Sequence, residues 1–167
     1  MTHPACLDTK SLLGECDIRF TRRSGPGGQN RNKVETAAIL THRPTGVIAE
    51  ANERRSQSEN RDQALFRLRL KLALQIRIDR EPGSVPSPLW TLRAKSGRIT
   101  LSPHHVDFPA MLAEALDVLV RSDGDVREAA ERLKVSASQL TKFLKDEPRA
   151  MARVNEERRS RGLHPLL

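Results

Sequence analysis

Residues 24–29 read Ser-Gly-Pro-Gly-Gly-Gln, placing three glycines and one proline in six positions. No ordinary helix or strand accommodates such a run, because glycine forfeits the most backbone entropy on ordering and proline lacks an N–H donor. Any fold of this chain must therefore make the stretch a loop and place its regular elements on either side. Gly27 and Gly28 carry no Cβ, so their backbone is free to take positive φ and approach a ligand closely. Gln29 adds a backbone N–H and a carboxamide beside them. A backbone amide held at a loop tip can stabilise an oxyanion.

The flanking patterns predict an α+β fold: a small mixed or antiparallel sheet on one long helix, followed by an all-helical region. Asp17-Ile18-Arg19-Phe20-Thr21 alternates polar and apolar residues, as a half-buried strand does. Ala37-Ala38-Ile39-Leu40 and Val47-Ile48-Ala49-Glu50-Ala51 lie on either side of His42-Arg43-Pro44-Thr45-Gly46, a turn composition that predicts a hairpin. Ser56 or Ser58 is suited to cap the next helix, with Glu59 and Asp62 in its first turn. Across residues 66–78 the apolar positions alternate as in a strand. The segment is nevertheless too long and too rich in Leu, Arg, Lys, Ala and Gln for one, and a helix is expected. That helix would carry two apolar stripes, Leu65-Leu68-Leu72-Ile76 and Phe66-Leu70-Leu74-Ile78.

Pro82-Gly83, Pro86, Pro88, Gly97 and Pro103 interrupt the next stretch. The expected organisation is a first domain over 1–81, a Pro/Gly-rich connector over 82–103 and a helical region over 104–167. Within the connector, Trp90-Thr91-Leu92 and Arg98-Ile99-Thr100-Leu101 read as short strands on either side of Lys95-Ser96-Gly97. Four helices are expected beyond it. One runs through Met111, Ala115 and Leu119, a second starts at Asp125, a third is capped by Ser136, and a fourth runs from Pro148 to Arg161 and ends at Gly162. The pair around Lys134-Val135 is similar to a helix-turn-helix, with Lys134 where glycine is usual and Ser138, Gln139, Lys142 and Lys145 on the second helix.

Composition points to a polyanionic partner. The 167 residues hold 29 Lys+Arg against 21 Asp+Glu, a formal charge of +8. Residues 1–80 hold 15 basic and 9 acidic residues, and residues 81–167 hold 14 and 12. Arginine dominates the first half, and its planar fork suits phosphate better than a lysine point charge. Cys6 and Cys16 lack zinc-site spacing and read as free thiols. His104 and His105 are adjacent, which is poor geometry for one metal, so neither metal nor cofactor is implied. With no run of 18 apolar residues and no signal-like N-terminus, a cytoplasmic protein is expected.

A Gly-Gly-Gln string alone recurs by chance, but here its surroundings match too. Arg23-Ser24-Gly25-Pro26-Gly27-Gly28-Gln29 is followed in order by Asn32-Lys33, Pro44-Thr45-Gly46, and Arg55-Ser56-Gln57 with Asn60, Arg61 and Ala64 behind it. In order and spacing, residues 17–73 resemble the peptidyl-tRNA hydrolysis domain of class I peptide chain release factors and of small codon-independent ribosome-rescue hydrolases. Arg31 departs from the family, which usually has an aliphatic residue there.

The resemblance implies an ester hydrolase that acts within the ribosomal peptidyl-transferase centre on P-site peptidyl-tRNA; nothing in the sequence fixes the oligomeric state, and a monomer is expected. Gly27, Gly28 and Gln29 would be the catalytic residues. Arg22, Arg23, Ser24, Arg31, Asn32, Lys33, Arg54, Arg55, Gln57 and Arg61 would contact RNA. A full release factor adds a domain that reads stop codons. Residues 1–23 are too short for one and residues 82–167 contain neither Pro-x-Thr nor Ser-Pro-Phe, so codon-independent rescue of stalled ribosomes is expected. The small rescue hydrolases end in a dense basic tail, whereas Arg149, Arg153, Arg158, Arg159 and Arg161 are interrupted here by Glu147, Glu156 and Glu157. Two other readings stay open: a non-catalytic nucleic-acid-binding protein that works through its helix-turn-helix, and a termination enzyme directed to damaged RNA.

Overall fold

The structure, a computed structural model, describes residues 2–22, 36–81 and 83–167. The chain divides into two compact units, Pro4–Leu72 and Ala73–Leu167 together with Met1–His3. Both combine helices with antiparallel strands, which makes the fold α+β.

The first unit begins with a short helix that the sequence reading passed over, α1 (Thr9–Gly14), capped by Asp8, whose carboxylate accepts from the Ser11 N–H at 3.0 Å and hydroxyl at 2.6 Å. Strands β1 (Cys16–Thr21), β2 (Ala37–His42) and β3 (Ile48–Ala51) follow in the order β1-β2-β3, antiparallel throughout. The central strand β2 supplies the most buried positions, with Ala37, Ala38 and Leu40 in the core. Ile18 corrects the half-buried reading of β1, because it is 40% exposed: β1 is an edge strand, and the face shared by Cys16, Ile18 and Phe20 is only partly covered. The β2–β3 turn closes as expected, with the Thr45 and Gly46 N–H groups donating to the His42 carbonyl and Gly46 at φ 70°.

Helix α2 (Gln57–Gln75) starts after Ser56, whose hydroxyl accepts from the Glu59 N–H. Leu65, Leu68 and Leu72 form the expected buried stripe, joined by Ala64, while Phe66 and Leu70 are half-buried. The helix ends at Gln75, so Ile76 and Ile78 lie beyond it and do not complete the two stripes. Its polar residues also tie it to the sheet: Arg67 donates to the Glu50 carbonyl at 2.8 Å and Lys71 to the Ile48 carbonyl at 2.6 Å, satisfying groups at the β3 edge. Arg69 is buried and donates to the Ala5 and Leu7 carbonyls and the Thr9 hydroxyl. Desolvation lowers its pKa, and those three acceptors hold the charge.

In the second unit, Trp90-Thr91-Leu92 is helical rather than extended. It belongs to α3 (Pro88–Arg93), which Ser87 caps and Pro88 starts, two helix-initiating signals that outweigh the surrounding turn residues. A two-residue turn, Ser96 at φ 51° and Gly97 at φ 74°, then joins β4 (Ala94–Lys95) to β5 (Arg98–Ile99). Both φ values fit a type I′ hairpin. Residues 82–103 thus contain a helix and a hairpin.

Four later helices follow, α4 (Phe108–Arg121), α5 (Val126–Arg132), α6 (Ala137–Lys145) and α7 (Pro148–Ser160), of which the last three are capped by the side chains of Asp125, Ser136 and Glu147. Buried residues run continuously along α4 from Phe108 to Leu119. Phe143 of α6 packs against Phe108 at 5.1 Å and edge-on to Trp90 at 5.8 Å between ring centroids. The Trp90 indole N–H donates to the Leu133 carbonyl at 2.9 Å, fixing α3 to the α5–α6 turn. Two carboxylates inside α4 are satisfied. Glu114 accepts from the Ser87 N–H and hydroxyl. Asp117 takes Arg77, Arg80 and the Ile78 N–H. Burial lifts the Asp117 pKa and lowers that of Arg77 to about 10, so this cluster holds its charges only through its hydrogen bonds.

Candidate functional site

The glycine-rich loop leaves from β1 and returns to β2. Thr21 and Ala37 are register partners at the end of that ladder, so the strand ends that carry the loop lie side by side. Gly27, Gly28 and Gln29, with Arg23, Ser24, Arg31, Asn32 and Lys33, lie outside the described residues. What the structure describes is the strands and turn that flank them in the chain.

Asn60 is 0% exposed and lies on the core-facing side of α2, one turn before Ala64 and two before Leu68. Its amide nitrogen donates to the Thr36 carbonyl at 2.7 Å and the Arg54 carbonyl at 2.9 Å, and its oxygen accepts from the Arg54 N–H at 2.9 Å. Both of its N–H groups and its acceptor are thus engaged. One side chain fastens the residue that enters β2 to the turn between β3 and α2. The family pattern included Asn60, but its clamping role escaped the sequence reading. The available signal was a polar amide in an otherwise apolar helical stripe.

The clamp brings several candidate RNA contacts to the same place. Arg54 and Arg55 are exposed on the β3–α2 turn that Asn60 holds, and Gln57 is exposed at the first position of α2. Arg61, one residue beyond Asn60, is partly exposed and pairs with Asp62 at 3.2 Å. Arg22 is exposed at the exit from β1. These side chains therefore cluster at the loop-bearing end of the sheet, where phosphate could be met on more than one side.

The opposite end of the ladder is built differently. His42 pairs in register with Cys16, five positions from the Thr21 and Ala37 pair. At strand spacing that is on the order of 17 Å. His42 is buried, with Nδ1 2.7 Å from the Thr45 hydroxyl and Nε2 2.8 Å from the Glu15 carboxylate. It secures the hairpin and is remote from the loop-bearing strand ends. Cys6 and Cys16 form no disulfide among the described residues, and burial pushes the Cys16 thiol up, keeping it protonated and unreactive.

The arginines of α7 and of its C-cap are largely engaged by the chain's own groups. Arg149 pairs with Glu147, Arg161 with Glu157 and Asp123, and Arg158 donates to the Gly124 and His164 carbonyls. No helix among the described residues is long and apolar enough to cross a membrane.

Residues 12–85 match the family model described as RF-1 domain. Among curated relatives, the chloroplastic peptide chain release factor PrfB1 of Arabidopsis thaliana is 57% identical over 58 residues, covering 35% of this chain and 13% of the relative. Peptide chain release factor 1 of Acidiphilium cryptum is 34% identical over 149 residues, covering 76% of this chain and 42% of the relative. The Streptomyces avermitilis protein of the same name is 33% identical over 140 residues, covering 75% and 39%. The chain thus spans less than half the length of these relatives.

Proposed function

Through residues 12–85 the chain belongs to the RF-1 domain family, and from that premise we propose that it is a peptidyl-tRNA hydrolase active on the ribosome. The observation that carries this reading is the intact Gly27-Gly28-Gln29 within the matched domain, borne by paired strands whose return end is clamped by Asn60. The reaction is attack of water on the ester that joins a nascent peptide to the terminal ribose of P-site tRNA. As the carbonyl carbon becomes tetrahedral its oxygen gains negative charge, and the Gln29 backbone N–H donates to that oxygen. The Gln29 carboxamide orders the water. Gly27 and Gly28 allow the backbone pose, and ribosomal RNA closes the site. Loss of one oxyanion donor typically costs ~10²- to 10³-fold in rate. Arg22, Arg54, Arg55, Gln57 and Arg61, with Arg23, Ser24, Arg31, Asn32 and Lys33, contact RNA around the centre.

The substrate complex is a stalled ribosome entered without codon recognition. Arg149, Arg158 and Arg161 are engaged by the chain's own groups rather than massed as a free basic cluster, which supports engagement through another contact. The division of labour follows the organisation 1–81, 82–103 and 104–167, with chemistry in the first part and ribosome engagement in the last. Release of labelled peptide from ribosomes with mRNA truncated in the A site tests the reading. Release by the intact chain and its loss in Gly28→Ala support it; equal release on mRNA that extends past the A site contradicts codon-independent rescue of stalled complexes. The α5–α6 pair, with its Asp125 and Ser136 caps, favours one alternative, a non-catalytic nucleic-acid-binding protein. Absence of release on either template would favour it.

A further inference from the structure

We propose that the β4–β5 hairpin and the adjoining face of α6 form a docking surface for the phosphate backbone of an RNA duplex, separate from the contacts of the first unit. The choice of RNA rather than DNA rests on the ribosomal reading above.

The surface is assembled from two stretches without a single acidic residue, 83–106 and 132–145, in a chain with 21 Asp and Glu. The hairpin places Lys95 directly opposite Arg98, both exposed, across the Ser96-Gly97 turn. Like charges facing each other across a hairpin are destabilising. Neither has an ion-pair partner among the described residues, which leaves both cations available to a polyanion. The hairpin is rigidly mounted. It continues directly from α3, which Trp90 locks to Leu133 and Phe143, and β5 packs against α6. The Ile99 N–H donates to the Gln139 side chain at 3.2 Å, joining the strand to the helix. Lys142 and Lys145, exposed, follow Gln139 at three-residue intervals along α6.

This arrangement is a helix-turn-helix with an adjoining basic wing, but it is not built to read bases. Gln139, the residue suited to bidentate contact with adenine, has its carbonyl committed to Ile99. Lysine and arginine without a free amide reader recognise backbone and shape, the mode by which A-form RNA duplexes are bound.

The test uses the full chain and a short RNA hairpin of mixed sequence, with affinity measured by fluorescence anisotropy across a salt series. The triple variant Lys95→Ala, Arg98→Ala, Lys142→Ala should bind at least about tenfold more weakly, and its log-affinity against log-salt slope should be shallower by about 2 to 3. All three side chains are exposed and removing the facing charges relieves repulsion, so its thermal melt should be no lower than that of the intact chain. The charge-preserving triple Lys95→Arg, Arg98→Lys, Lys142→Arg should keep its affinity. Unchanged affinity and slope in the alanine variant would overturn the proposal, as would equal loss in the charge-preserving one. Tighter binding to a DNA duplex of the same sequence would overturn the assignment to RNA. Peptide release is not read here, so a chain that releases nothing but shows these RNA differences refutes the catalytic reading alone.

Discussion

Asn60 ties the residue that enters β2 to the turn between β3 and α2. Replacing it by Leu keeps the volume but leaves the Thr36 carbonyl and both Arg54 backbone groups without their partner. Each buried unsatisfied group costs ~1–3 kcal/mol, so Asn60→Leu should lower stability by about 2–4 kcal/mol in a urea titration. Asn60→Asp should be no milder, because it sets a carboxylate against two carbonyl oxygens. At temperatures where either variant remains folded, peptide release should still fall, because the residue that enters β2 has lost its tether; full release from folded variant would show that the clamp is structural only. The Gly-Gly-Gln string stands out in the sequence because its conformational demands are local, and its residues lie outside the described ones. The clamp does not stand out, since Asn60 meets Thr36 across 24 residues of chain and only the fold brings them together.

Helices were readable wherever their ends were marked. Asp125 and Ser136 each accept backbone N–H groups, as expected of caps, and Gly162 ends α7 at φ 74°. The errors arose where two signals competed. Ser87-Pro88 starts α3 within a stretch crowded with prolines and glycines, so Trp90 read as extended, although its helix is what aims the indole at Leu133. The alternating apolar residues of 66–78 suited a strand, whereas length, composition and the family resemblance favoured a helix, whose end at Gln75 no cap residue announced. Two substitutions probe these elements. Trp90→Phe should cost about 2–3 kcal/mol in thermal or urea unfolding, from the unpaired Leu133 carbonyl and the lost ring volume; a loss under 0.5 kcal/mol would show that α3 is not locked this way. Lys134 holds φ 55° in the α5–α6 turn, where glycine avoids the penalty of a Cβ. Lys134→Gly should therefore raise stability by up to about 1 kcal/mol, and a loss would show that the Lys134 side chain supports the turn.

For the molecule as a whole, acid sensitivity follows from a buried histidine. Burial lowers the His3 pKa from 6.5 to about 4, and its Nε2 lies 3.1 Å from the Ile76 carbonyl. The folded state thus resists protonation more than the unfolded one. Its contribution is full above pH 6.5 and is lost as pH falls through the interval to about 4, for a total of about 3 kcal/mol. His3→Gln, which keeps a donor for Ile76, should flatten urea midpoints over that interval, and an unchanged slope would place the acid sensitivity elsewhere. The central claim is that an RF-1 domain here performs hydrolysis with its Gly-Gly-Gln loop. Its most direct test is single-turnover release of labelled peptide from P-site peptidyl-tRNA on ribosomes with truncated mRNA, comparing the intact chain with Gly28→Ala. The account predicts release by the intact chain and a loss on the order of 10²-fold or more in the variant. Equal release by both, or none by either, would contradict it.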